Sequence, residues 1–267
     1  MKPAAETPAP PAAQTVGTAP IAPAFAGIWT LVWKSRGSRR HWPKILGLHL
    51  GLPAIILLTG GPDRIGSYLQ VILKLQLMLA MPLVCLVNMA APIRDEAAEG
   101  TLCFLSVRPI RRGVFFLLLH AAHLLWLEIH FLFSGLLLLG VGFWLEVPGL
   151  SHLVVPLLLA QAAGVFAFSG LSAFLGLLTR RYLILGLLYG AIVEVGIGGI
   201  PTNINALSLG HHVRVIVSAF QPAGDLLRAN QGQVGLSLLV LLLVGLITAG
   251  AASLLYSARE VPPGPEA

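Results

Sequence analysis

Apolar residues in this chain fall into long unbroken runs separated by short polar breaks. Six such runs stand at about residues 44–60, 67–92, 113–145, 152–178, 182–200 and 234–256. Each approaches the roughly 20 residues with which a helix crosses a bilayer, and the period-2 alternation of a membrane β-barrel is absent. The pattern predicts an all-α membrane protein with six transmembrane helices. The third run exceeds what a bilayer requires, so its helix must tilt or project beyond the hydrocarbon. Ahead of the first run, Phe25, Ile28, Trp29, Val32 and Trp33 recur at helical spacing and Lys34, Arg36, Arg39 and Arg40 follow. Tryptophans beside basic residues predict an N-terminal interfacial helix lying in the headgroup layer. Residues 1–23 are rich in Ala, Pro and Thr and read as a disordered tail without a signal peptide's basic-then-apolar start. Residues 24–258 form the membrane domain and 259–267 a short tail. Within the loop at 201–233, Val213–Phe220 is too short to cross but apolar enough to dip into the membrane as a re-entrant or interfacial hairpin.

Composition agrees. Hydrophobic residues make up 56% of the 267 and charged residues only 10%, against about a quarter charged in soluble domains. The net charge of +6 is informative by location and does not imply nucleic-acid binding. Thirteen lysines and arginines fall in the N-terminal region, the second and fourth loops and the C-terminal tail. Three (Arg64, Arg214, Arg228) fall on the other side, and Lys74 stands within a run. Basic loops mark the cytoplasmic side, which places both termini there. The two cysteines, Cys85 and Cys103, are too few and wrongly placed for a disulfide framework or a zinc site.

The most highly charged break between runs is 93–112, with three carboxylates and four arginines. Wound as a helix, Asp95, Glu96, Glu99, Cys103 and Ser106 share one face, and Ile93, Ala97, Thr101, Phe104 and Leu105 the other. Such a segment lies along a membrane surface with its acidic edge toward water. Arg108-Pro109 ends it, because proline disfavours helical geometry in the residue before it and lacks a donor. The simpler reading is a solvated loop between two spans.

The string Glu96, Glu99-Gly100-Thr101-Leu102, Leu105, Arg108-Pro109, Arg112 after the second span resembles that of ABC-2-type transporter permeases. A weaker likeness is Tyr189 and Glu194 at the end of the fifth span, followed by Pro201 and Leu207-Ser208. It recurs in small prokaryotic members, including those linked to multicopper-enzyme maturation. The resemblance implies a cytoplasmic coupling helix at 93–112 between spans two and three, docked on a separate ABC ATPase subunit. Glu96 and Glu99 would pair with basic groups there, Leu102 and Leu105 would anchor it, and Gly100 would allow close approach. Arg112 would sit at the headgroups. ATP and Mg would belong to that partner, since the chain has no G-x-x-x-x-G-K-[ST] and no cofactor is expected on it. A second copy, or a related permease, would complete a two-fold unit in the bacterial cytoplasmic (inner) membrane. The function implied is the permease subunit of an ABC transporter, an exporter by the family's habit.

Ionisable and polar residues at membrane depth are expensive and usually face protein. Lys74, Gln76, Asn88 and Glu194, on spans that line the path in the family, are candidates for a translocation path. Their alternative role is helix-to-helix hydrogen bonding, worth about 0.5–2 kcal/mol each. Glu128, His120, His123 and His130 stand on the third span, the histidines in one stripe. A metal or haem would need a ligand from another helix, and His49 is the only other histidine inside a span rather than at its edge, so no metal is assigned. An intramembrane enzyme is disfavoured, because Ser169 in Phe168-Ser169-Gly170 has no histidine in the sixth run to activate it. A membrane anchor for the ATPase, without its own path, is the other alternative.

Overall fold

The computed structural model describes residues 21–37, 46–59, 68–91, 110–200, 202–218 and 234–258, and among them every regular element is helical. Helix α1 is Ile21–Arg36. Helix α2 opens with a π-helical turn, Gly47–Gly51, and continues as Leu52–Thr59. Then come α3 (Tyr68–Met89), α4 (Arg112–Trp144), α5 (Leu150–Leu178) and α6 (Tyr182–Gly199). The short α7 (Leu209–Val217) and the last helix α8 (Val234–Ala258) complete the chain. Helices α3, α4, α5, α6 and α8 are each long and apolar enough to cross a membrane, which defines an all-α membrane protein with five such helices among the described residues. Within the first expected run only the shorter apolar helix His49–Leu58 is described.

Helix α5 is the hub, packing against α3, α4, α7 and α8. Lipid is as apolar as leucine, so close backbone approach has to supply much of the attraction between such helices. Its small residues provide it: a Cβ on Gly170 would lie 2.6 Å from the Gly245 carbonyl oxygen of α8. Helix α4 has 33 residues, about 50 Å at 1.5 Å per residue. That excess length serves two separate cores. Near its C-terminus, Phe131 and Leu138 pack with Tyr68, Leu77, Leu157 and Val213, and the Tyr68 hydroxyl donates to the Leu138 carbonyl at 3.0 Å. Near its N-terminus, Phe116, Leu119 and Trp126 pack with Ile28 and Val32 of α1 and Tyr256 of α8.

Helix α1 has the amphipathic character its sequence predicts, with Ala24, Ile28 and Val32 forming the buried stripe at i, i+4, i+8. The stripe rests on protein. Trp33 meets Trp126 edge-on with ring centroids 4.8 Å apart, and Arg36 donates to the Asn88 side-chain oxygen at 3.3 Å. Gly149, at φ 71° in the tight α4–α5 turn, occupies a left-handed conformation that favours glycine.

π-helical geometry recurs at Val71–Ala80 in α3 and Gly190–Gly196 in α6. Such i→i+5 bonding is rare and gathers at functional sites.

Candidate functional site

The densest polar arrangement among the described residues is built where α6 meets α7. A π turn brings residues five apart onto one side of the helix, and this aligns Tyr189 with Glu194. The Tyr189 hydroxyl donates to Glu194 Oε1 at 2.7 Å. The same oxygen accepts the Leu209 backbone N–H at 3.0 Å. Glu194 Oε2 accepts the Ser208 hydroxyl at 2.6 Å and the Gly210 N–H at 2.7 Å. Each carboxylate oxygen therefore takes two donors, which fills its ordinary acceptor capacity.

The chemistry fits the position. The first N–H groups of α7 have no partner within the helix, and its N-terminus carries a partial positive charge that a carboxylate complements. Glu194 satisfies the first two, Leu209 and Gly210. Ser208, the N-cap residue, takes the third, from His211, at 3.1 Å on its hydroxyl oxygen. The cap is reciprocated, for Arg214 of α7 donates to the Gly198 carbonyl at the end of α6 at 2.7 Å. An acid from α6 holds the start of α7, and a base from α7 holds the end of α6.

His212 fastens the far side. Its Nε2 lies 2.9 Å from the Ala206 carbonyl, which can only accept, so that nitrogen carries the proton. Nδ1 then accepts from the Ser237 hydroxyl of α8 at 3.2 Å. Burial holds His212 below the usual histidine range, against the opposing pull of the Ala206 bond and the Glu194 charge. His211 is also lowered, by burial and then by the charges of His212 and Arg214. Burial lowers Arg214 as well, against the pull of Glu194. Leu209, Val213, Ile216 and Val217 sink into the protein core.

Beside this knot a cavity of about 210 Å³ opens between α3, α5 and α6. Met78, Leu83, Leu86, Phe168 and Leu187 give it an apolar wall, and Tyr189 and Glu194 stand on its lining.

The other candidate positions separate. Lys74 lies in the π segment of α3 and is exposed. Gln76 is fully buried and donates its amide to Gln161 Oε1 of α5 at 2.8 Å, while its own Oε1 has no partner. Asn88 is half-buried, accepting from Arg36 and donating to the Val84 carbonyl one turn back. Lys74, Gln76 and Asn88 are thus not brought together with Glu194. Arg112 is the exposed first residue of α4. Glu96, Glu99, Gly100, Thr101, Leu102, Leu105, Arg108 and Pro109 lie outside the described residues. Gln161 escapes sequence reasoning because it is a single polar residue in an apolar run, and only its pairing reveals it.

The histidine stripe acquires the cross-helix partner that its spacing requires. His49 Nε2 of α2 lies 3.0 Å from His130 Nδ1 of α4. Trp126 packs on the His130 ring and Phe133 on the His49 ring, with centroids at 4.3 and 5.0 Å. His123 and His120 are buried about two and three turns nearer the N-terminus of α4. No group of three or more metal-ligating side chains converges among the described residues.

Fold and site together define a multi-pass, all-α membrane protein in which a short buried helix is latched onto the end of a spanning one. No family model, curated protein or solved structure matches the chain.

Proposed function

We propose that the chain is the permease subunit of an ABC transporter, working as an exporter with a separate ATPase docked on the 93–112 segment. In this reading α2 is the core of the first of six spans, both termini face the cytoplasm, and α6 is the fifth span. The observation that carries the reading is the condition of α6. Its 18 residues are apolar enough to span, with Glu194 their one charged side chain, and it has the smallest buried share of the five long helices, 11%. Leu183, Ile184, Leu187, Ile192 and Val195 are exposed on several sides of it. A spanning helix so weakly held by its own subunit suits a protomer boundary, which a second copy would cover. The cavity between α3, α5 and α6 then lies beside that boundary, where a substrate would pass.

The Glu194 knot would serve as the latch that makes α6 and α7 move together. Force delivered through 93–112 would enter α3 and α4 directly, and α3 borders the cavity. Arg36 of α1 holds Asn88, five residues before that segment, which would steady the point where force is received.

The test is co-purification. Glu99→Arg reverses a charge on the acidic face; the ATPase should be lost from the purified complex while the membrane domain keeps its thermal stability. An ATPase that stays bound at wild-type stoichiometry, or a wild-type protein that carries no nucleotide hydrolase at all, refutes the proposal.

A further inference from the structure

Buried polar atoms in folded proteins almost always have partners, and each exception calls for an explanation. Six buried side-chain nitrogen and oxygen atoms among the described residues have none, and five belong to four histidines: His49 Nδ1, His120 Nδ1 and Nε2, His123 Nε2 and His130 Nε2. In an apolar interior an unmet polar group is costly. Packing alone would be served better by leucine, so the cluster needs a chemical reason.

The His49–His130 pair supplies the geometry for one. A neutral pair at 3.0 Å shares one proton, one ring donating and the other accepting. The acceptor ring then carries its own proton on its outer nitrogen, and the donor ring has a lone pair on its outer nitrogen. His49 Nδ1 and His130 Nε2 are those outer atoms, and both are unpartnered. The pair therefore has one open lone pair, whichever ring donates.

Trp126 and Phe133 wall the pair, their rings meeting the two imidazoles in T-shaped contacts with centroids at 4.3 and 5.0 Å. Adding a proton turns the shared hydrogen bond into a charge-assisted one, which is shorter and stronger. Among the described residues His49 and His130 are each other's titratable neighbour across the seam, while Arg36 and His120 lie near His123 and Glu128 lies near Cys85.

A metal fits less well. A metal-bound histidine usually donates its far N–H to an acceptor that fixes the ring. Neither His49 Nδ1 nor His130 Nε2 has such an acceptor among the described residues.

We propose that His49 and His130 form a proton-binding site in the apolar interior, with the bound proton shared across the seam between α2 and α4. The step is balanced: hydronium gives up a proton, a new N–H bond forms at the open outer nitrogen, and water leaves. The pair becomes one imidazolium–imidazole unit of charge +1, and no bond within either ring breaks. Loading tightens the contact between α2 and α4, and this holds whether or not the chain belongs to an ABC transporter.

The test uses the full-length protein, labelled with ¹⁵N-histidine, in phosphatidylcholine bilayers between about pH 8 and about pH 5, the range over which histidine changes charge. The His49 and His130 ring nitrogens should move together from neutral to shared-imidazolium shifts, with measurable coupling across the N–H···N bond. His130→Gln should abolish the event and reduce the protein's proton uptake by about one per chain, while the exposed His152→Gln leaves it in place. The proposal is overturned if both rings keep neutral shifts throughout, or titrate separately without coupling. It is equally overturned if uptake is unchanged in His130→Gln, or if a transition metal stays with the wild type and is lost from that variant. Should His130→Gln fail to fold, the wild-type spectra decide the matter alone.

Discussion

Glu194 Oε2 and the Ser208 hydroxyl lie 2.6 Å apart across fourteen residues of chain, and the same oxygen receives the Gly210 N–H at 2.7 Å. A carboxylate can accept all four of the bonds directed at Glu194; an amide cannot. In Glu194→Gln the NH₂ group would confront two donors, stranding them at the start of α7. Hydrogen bonds to charged groups contribute about 1.5–3 kcal/mol, so the variant should lose stability on that scale. Hydrogen–deuterium exchange should accelerate over 203–217 before it does over α5. Tyr189→Phe removes one donor and keeps the charge, so its loss should be about half as large. Equal exchange over 203–217 in Glu194→Gln and wild type would show that α7 is held by its apolar face alone.

The His212 bonds give α7 a pH dependence of definite sign. Burial lowers His212 from the histidine value of 6.5, so the folded state binds the proton less readily than the unfolded chain. Where the unfolded state holds more protons, stability rises with pH. The contribution of His212 is thus complete above about pH 6.5 and is lost as the pH falls through its folded value. Acidification should loosen the 203–217 region, and His212→Asn should flatten that response at the cost of a lower starting stability. An acid response unchanged in His212→Asn would locate its origin elsewhere.

Gly170 and Gly245 set the spacing of α5 and α8. A Cβ at position 170 would fall 2.6 Å from both the Gly245 carbonyl oxygen and the Thr248 hydroxyl oxygen, and a carbonyl on a helix cannot turn aside. Overpacking of this kind costs about 1–3 kcal/mol. Gly170→Val should stand at the upper end and lower the unfolding temperature in detergent, whereas valine at Gly250, which has open space around it, should change little. Similar effects at the two sites would mean that the helices are not in close contact.

Much of this architecture is legible in the residue pattern. Apolar runs mark helices because a bilayer leaves the backbone no other way to satisfy itself there, and the five long helices begin and end within three residues of the expected bounds. The α1 stripe follows from 3.6-residue spacing. The Tyr189, Glu194 and Ser208 cluster was visible as a set of residues but not as an arrangement. Its geometry depends on a π turn, and no local propensity separates i→i+5 from i→i+4 bonding here; the choice is made by what Glu194 finds on α7. Likewise the stripe of His120, His123 and His130 could be read from one helix, while the approach of His49 to His130 is a tertiary fact.

Gln76 and Gln161 allow a structural role to be separated from a part in the proposed transport function. Both are buried, and their 2.8 Å hydrogen bond is the polar link between α3 and α5 at that depth. Gln76→Met alone would strand the Gln161 amide and cost about 1–3 kcal/mol, while replacing both partners with apolar groups of similar shape can be nearly neutral. The double variant Gln76→Met, Gln161→Met should therefore be more stable than either single change, and the coupling read from the cycle should be at least about 0.5 kcal/mol. Thermal unfolding of the four proteins measures it. On the permease reading proposed above, a double variant that recovers stability together with the ATPase stimulation expected of that complex makes Gln76 a helix staple. If stability returns but that stimulation does not, the amide pair would act on the substrate of the proposed path, because an isosteric apolar core would have restored everything else.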